Sequence, residues 1–425
     1  MVSSCAQFTM TPSPLTLDAA SALIRRSSFR PSAGERFGIE IELMVNGPGG
    51  RQAPHHQVIR AVEAMAPLRS TTPISFEPGG QIELSPAPHA SADEACDALA
   101  ADLDQLTRAL ADAGLTLAAV GMDPRENRAR VLRSPRYDAM AAHFAADGPA
   151  GEAMMCRSAG IQVNLDWGPS PAHAARRWRL AHQLGPVLVA SFANSPAVSS
   201  TGVYRSARMV NWGRIDPGRA APVRRGTDTT GSPVEDWVNY VLGAPVMLIR
   251  SSPHYFMALR GGFSFGDWIK HGHSLGRPVS DDLRYHLTTL FPPVRPRAWM
   301  ELRMIDSLPD PWWRVAVAVA SILITDPIAG PETARMAGPV EAMWEQSARS
   351  GLGEPRLGQA AAACFAIALE AMVRTGVSAT TIALVRDYAE LFVNRGRCPA
   401  DTKLDAVAAN WAGPSHRVAR RSAVS

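Results

Sequence analysis

Polar and apolar side chains alternate from residue 37 to 45, in Phe-Gly-Ile-Glu-Ile-Glu-Leu-Met-Val, and this period of two predicts a β-strand. A Gly/Pro loop is expected over 46–54, then an amphipathic helix near 57–66. A second extended region spans 74–85, broken at Pro78-Gly79-Gly80, residue types that favour a tight turn. Ser91, with Glu94 three residues on, reads as a capping box. The helix it opens carries Leu99, Leu103, Leu106 and Leu110 on one face. Further strands are expected at 116–122, 161–167 and 297–305, with a helix at 172–190. From Trp312 to about Asn394 the pattern is helical. Residues 213–233, rich in Gly, Pro, Arg and Thr and without periodicity, predict a long mobile loop of the kind that serves as a lid or binding loop. There is no internal repeat and no linker. The chain therefore reads as a Ser/Thr/Pro-rich flexible segment (1–34), one interwoven α+β domain (35–414) and a disordered basic tail (415–425).

The position of the acids changes this picture. Glu40 and Glu42 stand two apart on a strand and so share a face, with Ile39, Ile41 and Leu43 on the other. Side by side, two like charges repel unless something positive lies between them. Alone, they would read as a solvated sheet face. The pattern recurs, however: Glu77 and Glu83 flank Pro-Gly-Gly, and Glu301 alternates with apolar residues in Trp-Met-Glu-Leu-Arg-Met-Ile-Asp. Three strand-borne acidic sites predict a sheet face lined by carboxylates, which as hard oxygen ligands suit magnesium or manganese. Gln162 and Asn164 share a strand face and could add neutral ligands or hydrogen bonds. With no GxxxxGK[ST] loop and no GxGxxG after a strand, nucleotide held through metals on such a sheet is the mode that remains.

Composition narrows the partners. The 43 basic and 39 acidic residues leave a charge of +4, and Arg417, Arg420 and Arg421 of the tail account for most of it. A nearly neutral body gives no reason to expect nucleic acid or an anionic membrane. The only lysines are Lys270 and Lys403, so a positive contact to phosphate or carboxylate must come almost wholly from arginine. Five scattered cysteines without a CxxC pair fit neither a zinc site nor a disulfide framework. No signal-peptide pattern is present, and the longest apolar run, 315–324, is far below the roughly 20 residues of a membrane span, so a cytoplasmic location is expected. The pairs His55-His56 and His271-Gly272-His273 read as solvated loop histidines, and Trp312-Trp313 as core.

Four segments resemble, in order, motifs of the glutamate–cysteine ligase family. They are FEPGGQIELS (76–85), QVNLD (162–166), SFANSP (191–196) followed by Arg208, Trp212 and Asp216-Pro217-Gly218-Arg219, and HLTTLFPPVR (286–295) running into Glu301-Leu302-Arg303. The resemblance covers about residues 37–315 and is closest to the branch shared by plants and some bacteria. Within that branch, size and arginine-rich composition are most similar to the actinobacterial enzymes that supply γ-glutamylcysteine for ergothioneine. The resemblance implies a glutamine-synthetase-like ligase fold, a mostly antiparallel curved sheet with an acidic active-site face and helices packed outside. It also implies ATP and Mg2+ (or Mn2+), glutamate and cysteine as small-molecule substrates, and a monomer or homodimer.

Carried over residue by residue, the resemblance implies metal ligands at Glu40, Glu42, Glu77, Glu83, Gln162 and Glu301. Arg303, with Glu301, would neutralise the transferring phosphoryl group, or simply pair with that acid. Asn164 and Arg303 would contact the nucleotide. Arg208 and Trp212, helped by Arg219, would grip glutamate. Tyr240 would lie near cysteine, or be a half-buried core tyrosine. Two rivals stay open: a carboxylate–amine ligase with another acceptor, and a non-catalytic ATP- or amino-acid-binding regulator on the same scaffold.

Overall fold

A computed structural model describes residues 13–125, 128–200, 202–223, 232–252 and 255–411. The alternating segments form the expected strands: β1 (Phe37–Asn46), β2 (Ile74–Phe76), β3 (Ile82–Leu84), β4 (Thr116–Ala118) and β5 (Gly160–Leu165). Two small hairpins follow, β6 (Ala197–Ser199) with β7 (Gly202–Tyr204) and β8 (Leu248–Ser252) with β9 (Tyr255–Ala258), and then β10 (Val294–Pro296) and β11 (Met300–Asp306). One antiparallel sheet runs β10–β11–β5–β1–β3–β2, with β4 also on β1.

The period of two divides the faces. Ile39, Ile41, Ile82, Leu84, Ile161, Val163, Leu165 and Leu302 are buried on one side. Helices Ala92–Asp112, Pro171–Ser191 and Trp312–Thr325 cover that side and share its core. Ser91 caps the first of these through its hydroxyl, which accepts the Glu94 N–H at 3.1 Å. Leu99, Leu106 and Leu110 point into the core, and Trp313 joins it. Helix Pro355–Thr375 is long and apolar enough, by length and composition alone, to cross a membrane; here Leu357, Ala361, Cys364, Phe365, Ala368 and Met372 bury its apolar stripe in the same core.

On the opposite face, register places like with like. Glu42 stands opposite Glu83 and Glu83 opposite Ser75. Glu40 faces Gln162, and Glu301 lies between Asn164 and Arg295. Helices Pro135–Phe144, Ala150–Arg157 and Ala207–Trp212 close over this face around a second, smaller apolar cluster that includes Met140, Met154, Met155, Trp212 and Phe291.

The N-terminal segment departs from the flexible stretch expected. Residues Leu17–Ser27 form a helix capped by Thr16, with Ala20 and Ile24 fully buried. Its apolar positions recur at helical spacing, a weak signal beside the Ser/Thr/Pro content that dominates the segment. His55 and His56 open a helix instead of lying in a loop. The expected loop at 213–233 contains a short helix, Pro217–Ala220, and its residues 224–231 lie outside the described residues, as do the tail 415–425 and Cys5. Cys96, Cys156, Cys364 and Cys398 are free and buried.

Candidate active site

The acidic face of the sheet is the floor of a cleft of about 460 Å³, lined by Glu40, Glu42, Glu77 and Glu83 together with Arg295, Arg297 and Arg303. Oxygens of Glu42, Glu77 and Glu83 lie within 4.8 Å of one another. A tight hairpin brings Glu77 to that group. The Glu77 N–H donates to the Gln81 carbonyl at 2.9 Å, the Gly80 N–H to the Glu77 carbonyl at 2.8 Å, and Gly80 takes φ +77°, where glycine is favoured. Gly79 has no room for a side chain either, since a Cβ there would sit 2.1 Å from the Cys156 carbonyl oxygen.

Neutral donors hold the other acids. Glu42 accepts the Gly160 N–H at 2.8 Å and the Gln162 amide at 3.1 Å, Glu40 the Asn164 amide at 2.9 Å, and Glu83 the Ser75 hydroxyl at 2.9 Å. None of the four carboxylates has an ion pair among the described residues. Burial, reinforced by the neighbouring acids, raises the affinity of all four for a proton, and burial beside Glu42 and Glu83 pushes Glu77 up to about 8. Such a cluster is costly without a cation and stabilised by one, and its all-oxygen donor set fits a hard divalent ion.

The arginine edge is built differently. Glu301 is fully buried and enclosed by Arg295, which donates to it from Nη2 at 2.9 Å and also from Nε, and by Arg303 at 3.0 Å, with Arg297 at 3.7 Å. Burial would raise its proton affinity, but these guanidiniums hold the carboxyl far below the usual range. Arg303 Nη1 also donates to the Gln162 carbonyl at 2.8 Å, while its buried Nε has no hydrogen-bond partner among the described residues. A guanidinium that lines a cleft and is braced from behind by a carboxylate and an amide is suited to an anion.

The positions expected from sequence separate accordingly. Glu40, Glu42, Glu77, Glu83, Gln162, Arg303 and Trp212 come together in the cleft. Glu301 stands behind them as the clamp that orders three arginines, and Gln162 turns its oxygen to Arg303 and not to the acids. Asn164 flanks the cleft, bridging Glu40 and the Trp299 indole N–H at 3.0 Å. Arg208 lies beneath it, fully buried: it donates to the Arg303 carbonyl at 2.9 Å, lies 3.7 Å from Asp306, and stacks 5.2 Å over the Trp212 ring. A Cβ at Gly160 would stand 2.4 Å from Arg208 Nη2. Gly160→Ala is therefore expected to displace both Arg208 and the N–H that holds Glu42. It should lower stability by about 1–3 kcal/mol, as overpacking does, together with activity, read by thermal melting and turnover.

Arg219 and Tyr240 do not line the cleft. Arg219 is spent on Asp216 at 2.8 Å and on the Thr289 and Pro245 carbonyls, and its own carbonyl accepts the N–H of Phe291, a cleft residue. Tyr240 stacks on Trp237 and donates to the Ala221 carbonyl at 3.3 Å, as a core tyrosine would. Sequence reading missed Arg295, Arg297, Arg136, Tyr137 and the methionines Met140, Met154 and Met155, all of which line the cleft. Arg295 and Arg297 alternate with Glu301 and Arg303 across a short turn and could have been found by extending the strand pattern. The methionines carried no such signal.

A family model described as glutamate–cysteine ligase family 2 matches residues 36–421. The glutamate–cysteine ligase EgtA of Mycobacterium tuberculosis is 40% identical over 382 residues, covering 88% of this chain and 86% of its own. That of Mycolicibacterium smegmatis is 39% identical, with 92% of both chains covered. The chloroplastic glutamate–cysteine ligase of Nicotiana tabacum is 32% identical over 58% of this chain and 47% of its own. Among solved structures, a glutamate–cysteine ligase from Francisella tularensis in complex with AMP matches with a TM-score of 0.51 at 12% identity, over 89% of this chain and 85% of that one. A bifunctional glutathione synthetase from Pasteurella multocida reaches 0.53 at 14% identity, covering 92% of this chain and 51% of that one. The fold is thus shared at low identity, and the motif acids and arginines stand where the sequence likeness runs: the chain belongs to glutamate–cysteine ligase family 2.

Proposed function

We propose that the protein joins the γ-carboxylate of L-glutamate to the amine of L-cysteine at the expense of ATP, giving γ-glutamylcysteine, ADP and phosphate. The observation that carries this reading is the meeting, in one cleft, of four acids without cations and three arginines at the opposite edge of the sheet. A carboxylate oxygen of glutamate attacks the γ-phosphorus, the bond to the bridging oxygen breaks, and ADP leaves. The amine nitrogen of cysteine then attacks the acyl carbon, the C–O bond to phosphate breaks, and the surplus proton passes to phosphate or solvent. Such a transfer needs positioning and charge neutralisation more than covalent help.

Glu42, Glu77 and Glu83, with Glu40, would hold Mg2+ or Mn2+, whose charge neutralises phosphate oxygens. Arg303, held at the cleft wall by Glu301 and Gln162, would face the transferring phosphoryl group. Arg208 fixes Trp212 and the β11 backbone instead of reaching the cleft itself. Likeness to the mycobacterial enzymes supports a place in ergothioneine formation.

The test is ADP release from purified protein with Mg-ATP and glutamate, adding cysteine or other amines in turn, with the product identified by mass. Cysteine-dependent ADP release with γ-glutamylcysteine is the expected result. Turnover with another amine but not cysteine would keep the chemistry and replace the acceptor. Folded protein that releases no ADP with any amine would leave the binding-regulator reading.

A further inference from the structure

β11 ends at a buried acid, Asp306, beside Arg208. Its carboxylate accepts the Asn194 N–H at 2.9 Å, the Ser195 hydroxyl at 2.6 Å and the Ser206 hydroxyl at 3.0 Å, with Arg208 Nη1 at 3.7 Å. Both serines pass the restraint on. The Ser195 Oγ accepts the Arg208 N–H at 3.1 Å, and the Ser206 Oγ, capping helix Ala207–Trp212, accepts the Met209 N–H at 3.2 Å. Asp306 thereby fixes the start of the helix that carries Arg208 and Trp212. It is tightly packed as well, since a Cβ at Gly121 would stand 2.3 Å from its Cγ.

The cation beside Asp306 is shared. Arg208 is attracted by Glu42 of the cleft as well as by Asp306, while burial works against the charge of all three. A buried acid whose paired cation is also drawn to a second acid is costly unless further positive charge stands near. That charge comes from helix Pro399–Trp411, beyond the stretch that carries the motifs. Lys403, one of only two lysines in the chain, donates from Nζ to the Asn194 carbonyl at 3.4 Å. Burial draws its proton affinity down to about 8 and the Asp306 carboxylate opposes that, so at pH 7 it is mostly the ammonium. Two other contacts dock the same helix on the same segment: the Ala400 N–H to the Ala193 carbonyl and Arg205 Nε to Asp401, both at 3.0 Å.

On the ligase reading above, we propose that Lys403 is a positioning residue for the reaction. By holding the Asn194 carbonyl and balancing Asp306, it keeps Arg208 and Trp212 in place, and with them the Arg303 backbone that Arg208 supports. The C-terminal helix, which carries none of the motif residues, thus sets the geometry of the cleft from behind.

The test is steady-state kinetics with Mg-ATP, glutamate and cysteine at pH 7 on the full chain, beside thermal melting of each variant. Lys403→Met should lower kcat by roughly 10–10²-fold, the range for a small misplacement relayed to reacting groups. KM for Mg-ATP should hold, because the cleft acids stand on β1 and the β2–β3 hairpin. Lys403→Gln keeps a donor for the Asn194 carbonyl but no charge, and should lose about as much; it carries the test if the methionine variant does not fold. Lys403→Arg should restore most of kcat. Arg205→Gln removes the helix's other polar dock and should lower the melting temperature while kcat stays unchanged. Folded Met or Gln variants with the unmodified kcat would overturn the assignment and leave the ligase reading standing. So would an arginine variant as slow as the methionine one, or Arg205→Gln losing as much kcat as Lys403→Met, since helix docking alone would then explain both. An unmodified chain that makes no γ-glutamyl product with any amine sinks both readings.

Discussion

Glu77→Gln is expected to reduce ligase turnover by roughly 10²–10³-fold, since the charge stabilisation a clamped metal supplies is worth several kcal/mol. The same change should leave the metal-free protein as stable as before or more so. Glu77 is buried beside Glu42 and Glu83, and its carboxyl is pushed up to about 8 from an ordinary value of 4.5. A group whose proton affinity is raised by folding contributes stability that is complete below its unfolded value and is lost as pH rises through the folded one. For Glu77 that window runs from about 4.5 to about 8. Metal-free protein should thus weaken across it, and the neutral amide should remove part of that loss. Magnesium reverses the sign, because it displaces the proton: its stabilisation should grow as pH rises through the same window. Melting temperatures with and without magnesium, at pH 6 and pH 8.5, read both effects. A Gln variant that still shows the full magnesium shift would remove Glu77 from the metal site.

Arg303→Ala is expected to cost more, roughly 10³–10⁵-fold in kcat, the range for removing a guanidinium that neutralises a transferring phosphoryl group. Only part of that comes from the empty place. Arg303 also donates to Glu301 at 3.0 Å and to the Gln162 carbonyl at 2.8 Å, so its loss leaves one buried acid with fewer partners and frees Gln162. Arg303→Lys separates the roles. A single ammonium keeps a charge near Glu301 but cannot span both partners and still present a donor to the cleft. The lysine variant should therefore melt near the unmodified protein while recovering little of kcat. Recovery of most activity by lysine would show that charge alone matters. A normal kcat in the alanine variant would take Arg303 out of the reaction and leave it as the ion pair of Glu301.

Much of the acidic face was legible along the chain because a strand repeats every two residues. Glu40 with Glu42, and Glu77 with Glu83 across a Pro-Gly-Gly turn, announce their shared side through local geometry alone. Residues whose placement depends on partners far away in sequence were read less well. Arg208 and Trp212 stand on one helical turn, yet only Trp212 reaches the cleft, because Gly160 and the β11 carbonyls leave a slot that takes the guanidinium underneath. Arg219 and Tyr240 occur among motif residues, but the carbonyls of Thr289, Pro245 and Ala221 claim their polar atoms first. Glu301 alternates like a cleft-facing acid and is enclosed because three arginines converge on it.

By itself, then, the sequence determined the strands, the side on which their acids fall, the glycine turn that carries Glu77, and the reliance on arginine for positive charge. These follow from backbone periodicity and residue chemistry, which act over a few positions. Tertiary structure decided which acids stay free for a cation and which are neutralised. It also decided which arginines line the cleft and which lie beneath it, and that methionines from two helices help to wall it. Those outcomes depend on which groups meet across the sheet and on how much water is left between them, and no local pattern encodes either.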